Sequence, residues 1–439
     1  MMFLRTFLYN LAFAIFGIFY LPVFLIKLRQ AEDPGILWRE RRGIFPATWK
    51  EKFASRKTVW LHAVSVGEVM AVGKFIQEWL AATPQYDLLL TTVTPTGQRI
   101  AKKLEGERVH VCYFPFDLTP VVKRFLDLFK PACLLLVETE IWPNLLTEAG
   151  RRNIPVGMVN ARLSERSFKR YKAFSWFFKP LWEAIDFVLA QSEEDTARFR
   201  GLGIAAESVR DMGNMKFDGV EWSGAQDIEG LRQAWGYAPE DLVWIAGSTH
   251  PGEEATLLKA FAELRKKFPK LKLILAPRHI ERSEELLNKF RSNDLEMVLA
   301  TRKKEGPAPA VQVLDQLGVL KNLYGIADLV FMGGSLVPHG GQNPIEPARF
   351  SKTVLHGPHV FNFQKIYHQL DHDGCAFRIS APDELSSAAA EFLGDESKRR
   401  EMGQKAFQII NRLRGASKRQ AGWVLTFLSH QRPPAPDFR

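Results

Sequence analysis

Several groups of residues in this chain set reactive side chains where a strand ends or a helix begins. In Trp60-Leu61-His62-Ala63-Val64-Ser65-Val66-Gly67-Glu68 an apolar strand runs into a short turn, and a carboxylate follows at a helix start. A glutamate at the carboxyl end of a strand in an open α/β sheet stands where ligands dock and can take a proton from one. Ser65-x-x-Glu68 also has the form of a capping box, with Ser65 capping the helix and Glu68 bonding back to the Ser65 amide. The local sequence leaves both roles open. Val137-Glu138-Thr139-Glu140-Ile141-Trp142-Pro143-Asn144 ends the most apolar strand with two acids, which are costly there unless paired or solvated. Gly213-Asn214-Met215-Lys216-Phe217-Asp218 offers a lysine to a phosphate, a carboxylate or plain solvent.

The second half of the chain carries residues suited to a nucleotide. Trp244-Ile245-Ala246-Gly247-Ser248-Thr249-His250 enters a loop before a helix near Gly252-Glu253-Glu254, and Ile274-Leu275-Ala276 ends in Pro277-Arg278-His279. Leu329–Met332 runs into Gly333-Gly334-Ser335, where absent side chains let backbone approach a ligand. In Gly340-Gly341-Gln342-Asn343-Pro344-Ile345-Glu346, Asn343 suits an N-cap, Pro344 the first helical position and Glu346 the first turn. Such a start can bind an anion, and Glu346 can accept from a ribose hydroxyl pair; an ordinary helix start reads the same way. There is no Walker A loop, no G-x-G-x-x-G after the first strand and no G-x-S-x-G elbow. Asp371-His372-Asp373 precedes Gly374 and reads as a polar turn, so no metal and no cofactor are expected.

The elements that must position these residues alternate strand and helix. Apolar runs at Val59–Val64, Tyr86–Thr92, Val109–Tyr113, Ala132–Glu138, Ile154–Asn160, Phe187–Ala190 and Val209–Met212 are separated by helical patterns. A second series covers Leu242–Ala246, Leu271–Ala276, Glu296–Ala300, Val311–Val313, Leu329–Met332, Thr353–Leu355 and Cys375–Ile379. A basic helical stretch, Asp395–Ser429, follows. Near-continuous apolar strands between helices predict buried parallel sheets. The expected α/β organisation is an anchor at 1–30, a Rossmann-like domain at 31–218, a linker at 219–230, a second Rossmann-like domain at 231–429 and a tail at 430–439.

Net charge is +10, which favours an anionic partner such as phospholipid, nucleic acid or a phosphorylated substrate. The run Thr6 to Ile26 is uncharged and rich in Leu, Ile and Phe; roughly 20 such residues span a bilayer's hydrocarbon core. Arg5 precedes it and Lys27, Arg29, Arg39, Arg41 and Arg42 follow, so a retained single-pass anchor would leave the rest of the chain on the cytoplasmic side. A cleaved signal and an interfacial helix are the alternatives. Basic and aromatic residues interleave over 169–182, which suits anionic phospholipid or internal packing equally.

Taken together, these motifs resemble the 3-deoxy-D-manno-octulosonic acid (Kdo) transferases of lipopolysaccharide inner-core synthesis. Leu61 to Glu68, Thr92-Val93-Thr94-Pro95-Thr96-Gly97, Glu138 to Asn144, Asn160-Ala161-Arg162-Leu163-Ser164, Gly213 to Asp218, Pro277-Arg278-His279 and Gly333 to Glu346 carry the likeness. The resemblance implies a GT-B fold, two Rossmann-like domains facing a cleft. It implies CMP-Kdo as donor, a lipid A precursor as acceptor, an inner-membrane location, no nucleic acid partner, and inversion at the anomeric carbon without a metal. By resemblance Glu68 is the proton acceptor, and Glu138 and Lys216 stabilise the transition state. Pro277, Arg278, Gly333, Gly334, Ser335, Asn343, Pro344, Ile345 and Glu346 bind CMP. Gln342, where enterobacterial members carry histidine, and Val337-Pro338-His339-Gly340 depart from the pattern. A GT-B enzyme on another nucleotide sugar and a non-enzymatic nucleotide-binding module remain as rivals.

Overall fold

The computed structural model describes residues 31–218, 227–290, 295–303 and 305–430, with scattered positions between 9 and 29. The chain divides into two compact units: unit 1 is Met1–Gly219 with Leu413–Arg439, and unit 2 is Val220–Arg412.

In unit 1 the strands are β1 (Lys57–His62), β2 (Tyr86–Thr92), β3 (Val109–Tyr113), β4 (Cys133–Val137), β5 (Val156–Ala161), β6 (Phe187–Ala190) and β7 (Val209–Asp211). They pair in the order β3-β2-β1-β4-β5-β6-β7, all parallel. Alternation along β1 explains the burial of both faces. Val59 and Leu61 enter one core with Leu88, Leu90, Leu135 and Val137, while Trp60 enters the other with Leu89, Leu134 and Leu136. Trp60 stacks on Phe125 with 4.7 Å between ring centres, and its indole N–H donates to Thr91 Oγ1 at 2.8 Å. Truncating an aromatic so buried costs about 3–5 kcal/mol.

Unit 2 repeats the plan with β8 (Leu242–Thr249), β9 (Leu271–Pro277), β10 (Met297–Leu299), β11 (Val311–Val313), β12 (Leu329–Met332), β13 (Val354–His356) and β14 (Ala376–Arg378). The order is β10-β11-β9-β8-β12-β13-β14, again parallel. In each sheet the first strand lies where the winding reverses, so β1 and β4, and β8 and β12, flank a switch point. Doubly wound sheets bind ligands at the carboxyl ends of such strands.

Three expectations about organisation change. The basic stretch over Asp395–Ser429 is two helices, Glu396–Leu413 and Ala416–His430, separated at Gly415, whose φ of +83° is left-handed. The second of these belongs to unit 1, so the expected 231–429 domain ends early. Ala416, Ala421 and Val424 complete the core around Val59 and Leu61, which explains the return. Within the stretch expected as linker, 219–226 lie outside the described residues and Ile228–Ala234 is already helical. Most of the anchor expected at 1–30, and tail residues 431–439, also lie outside the described residues. Among the described residues no helix is long and apolar enough to cross a membrane.

Candidate active site

At the end of β1 the chain turns through Ala63-Val64 into the helix Val66–Ala82, with Ser65 in extended conformation at its N-cap. Glu68 Oε2 accepts from the Val64 amide at 2.8 Å, and Glu68 Oε1 accepts from the Ser65 hydroxyl at 2.9 Å. The box is therefore closed one residue earlier than expected, on the Val64 amide rather than that of Ser65. Each oxygen still has a second lone pair, so capping does not disable the carboxylate as a base. Burial pushes the Glu68 carboxyl above its ordinary range, and the nearby Glu138 adds to this. The Val64 amide, the Ser65 hydroxyl and Lys216 oppose it. His62, one turn earlier, is no competing base. Its ring is fully buried against Phe114 at 3.8 Å, and desolvation lowers its pKa to about 3.

Glu138 follows β4, across the switch point from β1, and takes a left-handed φ of +59°. Such a conformation costs a non-glycine residue about 1–3 kcal/mol and is maintained only by its surroundings. The Glu138 amide donates to Val159 O, and Oε1 accepts from Lys216 Nζ at 3.2 Å. Lys216 is carried on the short 3₁₀ turn Met215–Phe217, which is tied from three sides. The Met215 amide donates to Asn160 Oδ1, the Lys216 amide donates to Asn214 Oδ1, and Met215 itself is buried. The helix Ala416–His430 supplies the third tie. Gln420 accepts from the Asn160 amide and donates to Gly213 O, while Asp218 accepts from the amides of Gly415 and Ser417. The structure thus brings Glu68, Glu138 and Lys216 together.

A fourth group joins them. Burial raises the Glu140 carboxyl to about 8, and the charges of Glu68 and Glu138 act in the same direction. Glu140 is therefore largely a neutral acid near neutral pH. Its segment stood out in the sequence, but nothing local marked it as the acid kept protonated.

In unit 2, Gly333 is wedged against the end of β8: an added Cβ would lie 2.4 Å from Ser248 O. Ser335 is fully buried; its hydroxyl accepts from the Gly357 amide at 2.8 Å and donates to Met332 O. Pro277 is buried at the end of β9, and Arg278 beside it is exposed with its amide on Thr249 O. The expected helix at Asn343 is only four residues, Ile345–Ala348, and begins after Pro344 rather than at it. Asn343 Oδ1 still accepts from the Ile345 amide at 3.2 Å. Burial raises the Glu346 carboxyl, offset by Arg349, Arg278 and Lys321. His250 stacks on His339 at 4.2 Å. Desolvation, then the neighbouring His339, His279, Arg278 and Arg282, lower its pKa to about 4, so it is neutral. Asp371 pairs with the buried His356 at 2.8 Å. In the sequence Glu253 marks only a helix start, yet its carboxylate is wholly inside the fold. Gln420 left no local signal at all.

Residues 37–219 match the family described as 3-deoxy-D-manno-octulosonic-acid transferase (kdotransferase). The chain is 35% identical over 365 residues to the 3-deoxy-D-manno-octulosonic acid transferase of Haemophilus influenzae, covering 82% of this chain and 85% of that one. The chain belongs to the Kdo transferase family. The Bordetella pertussis 3-deoxy-D-manno-octulosonic acid transferase is 34% identical over 376 residues, 82% of this chain and 85% of that one. Among solved structures, a UDP-N-acetylglucosamine 2-epimerase matches with a TM-score of 0.57 at 15% identity, over 88% of this chain and 99% of that one. A glycosyltransferase from Rickettsia africae matches at 0.56 and 11%, over 86% and 100%. These two likenesses concern the fold alone: paired parallel-sheet α/β units of the GT-B kind. As a Kdo transferase the chain is a glycosyltransferase.

Proposed function

We propose that this Kdo transferase moves Kdo from CMP-Kdo to a lipid A precursor with inversion, and that Glu68 is its general base. The observation that carries the reading is the meeting of Glu68, Glu138 and Lys216 at the carboxyl ends of β1 and β4 in a chain of this family. In the proposed step an acceptor hydroxyl oxygen attacks the anomeric carbon. Its proton passes to Glu68, and the bond to the CMP phosphate breaks with its electron pair going to phosphate. A base with a raised pKa is matched to that task near neutral pH. Lys216 supplies a cation for the Kdo carboxylate or the charge that develops beside it, with Glu138 holding the ammonium in place. Pro277, Arg278, Gly333, Gly334, Ser335 and the segment Asn343-Pro344-Ile345-Glu346 of unit 2 form the CMP subsite. Arg278 meets the phosphate and Glu346 the ribose.

A lipid acceptor stays in the bilayer, so the reading includes membrane attachment through residues 1–30 at the cytoplasmic face of the inner membrane. The helices Glu165–Ala173 and Ser175–Trp182 fit a second contact. Trp182 is buried and Tyr171 and Phe178 pack inward, whereas Phe174 (53%) and Trp176 (56%) are exposed beside Lys169, Arg170, Lys172 and Lys179. Exposed aromatic rings among basic residues suit an anionic headgroup layer. The test is incubation with CMP-Kdo and a tetraacylated lipid A precursor, with mass spectrometry of the products. A Kdo adduct with release of CMP is expected. No adduct, together with tighter binding of UDP than of CMP, would overturn the reading in favour of another nucleotide sugar.

A further inference from the structure

Glycine-rich loops at the carboxyl ends of parallel strands commonly offer their backbone N–H groups to a ligand's phosphate. The loop after β12 has spent them. Glu253 Oε2 accepts from the amides of Gly334 at 2.7 Å and His250 at 2.9 Å. Glu253 Oε1 accepts from those of Ser335 at 3.0 Å and Leu336 at 2.9 Å. Four N–H groups fill the four lone-pair positions of one carboxylate, and the residue has no exposed surface. The carboxylate spans the switch point of the sheet in unit 2, tying the end of β8 to the loop after β12. It sits in the first turn of the helix Glu253–Lys267, where the positive helix end favours its ionised form. Burial pushes its pKa up and the four amides pull it down.

We infer that Glu253 is a positioning residue for the donor: an internal anion that fills the nest of the 334–336 loop and presents that loop to the nucleotide in one fixed shape. The inference rests on the reading of unit 2 as the CMP subsite. Two consequences separate it from a loop that binds phosphate by its own amides. The donor's phosphate is turned away from these amides by the carboxylate already in them and goes to side-chain cations such as Arg278. The loop then contributes shape and contact, held also by Gly333 against Ser248 and by Ser335 against Gly357.

In Glu253→Gln one oxygen becomes an NH₂ group facing two N–H donors, so two buried amides lose their acceptor and the loop is released. Buried donors left unpaired are worth roughly a factor of ten each in an equilibrium. The expected result is CMP affinity and donor KM weakened about tenfold or more, with kcat within about threefold of wild type. Glu253→Ala is expected to behave likewise and to regain CMP affinity when formate is added to refill the nest. Glu254→Gln alters the adjacent buried acid, which pairs with Arg282 at 2.8 Å and, among the described residues, makes no hydrogen bond to the loop; it is expected to keep CMP affinity. Hydrogen exchange on the wild-type protein tests the same point without a variant. The amides of 334–336 are expected to be protected before CMP is added and unchanged after. Fast exchange that CMP slows, unchanged CMP affinity in Glu253→Gln, or an equal loss in Glu254→Gln would each overturn the inference while the CMP reading stands. A wild-type protein that binds no CMP would overturn both.

Discussion

Glu68→Gln separates the two roles of the first carboxylate. In the native chain Oε2 takes the Val64 amide and Oε1 takes the Ser65 hydroxyl. The amide of glutamine can reproduce both contacts, with its oxygen on the Val64 N–H and its NH₂ donating to Ser65 Oγ, which accepts as readily as it donates. The helix cap therefore survives, and the variant should unfold at nearly the wild-type temperature. Only the ability to accept a proton is lost. General-base catalysis is worth about 10²–10⁴ in rate, or about 3–5 kcal/mol in the barrier. Release of CMP from CMP-Kdo in the presence of acceptor should fall by at least that range, while calorimetric CMP affinity holds. In the wild type kcat/KM should rise with pH through a pKa above the ordinary glutamate range, because the base must be ionised and burial resists ionisation. The variant should lack that limb. Turnover within threefold of wild type, with the same pH profile, would remove Glu68 from the chemistry and leave it a cap.

Glu140, raised to about 8 in the folded chain against an ordinary 4.5, favours its neutral form. That preference stabilises the fold below about pH 4.5 and is lost as pH rises through about 8. Glu140→Gln is neutral throughout, so its melting temperature should gain on wild type as pH goes from about 5 to about 9; a difference that does not vary with pH would refute this. Gln420→Ala strips partners from the Asn160 amide and the Gly213 carbonyl, at about 1–3 kcal/mol each, and loosens the turn bearing Lys216. It should lower both melting temperature and turnover yet spare CMP affinity, and unaltered turnover would show that the last helix does not position the lysine. Replacing Phe174 and Trp176 together by serine in a chain lacking residues 1–30 should reduce sedimentation with anionic vesicles without lowering turnover on detergent-dispersed acceptor; undiminished sedimentation would refute the second membrane contact.

The strands were legible because a strand buried on both faces must be apolar almost throughout. Tyr86–Thr92, Val109–Tyr113, Phe187–Ala190, Val311–Val313 and Leu329–Met332 have the bounds the sequence suggests, and the others shift by one to three residues at an end. Glu68, Glu138 and Lys216 were each marked by standing at a strand end or a short turn. Their meeting was not marked, since it depends on which strands lie beside the reversal in winding. The break at Gly415 was hidden by basic residues that run on evenly from one helix to the next. Hydrogen-bond partners at long range left no trace: neither Gln420 on Asn160 nor Glu253 on Gly334 has a periodic or local signature.

The helix Ala416–His430 has a consequence for how the protein comes into being. Unit 1 needs this helix to close the core around Val59 and Leu61, and the lysine turn needs it to hold Asp218 and Gly213. Asp218 binds the Gly415 amide 197 residues further along the chain. During synthesis the first sheet emerges early, and domains of a growing chain tend to fold in order from the amino end. Here the earlier unit must wait, with one apolar face bare, while the whole of unit 2 is made. Aggregation and chaperone capture are most to be expected in that interval, and a nascent chain halted before residue 413 should carry Glu68 and Lys216 yet lack the clasp that sets the lysine.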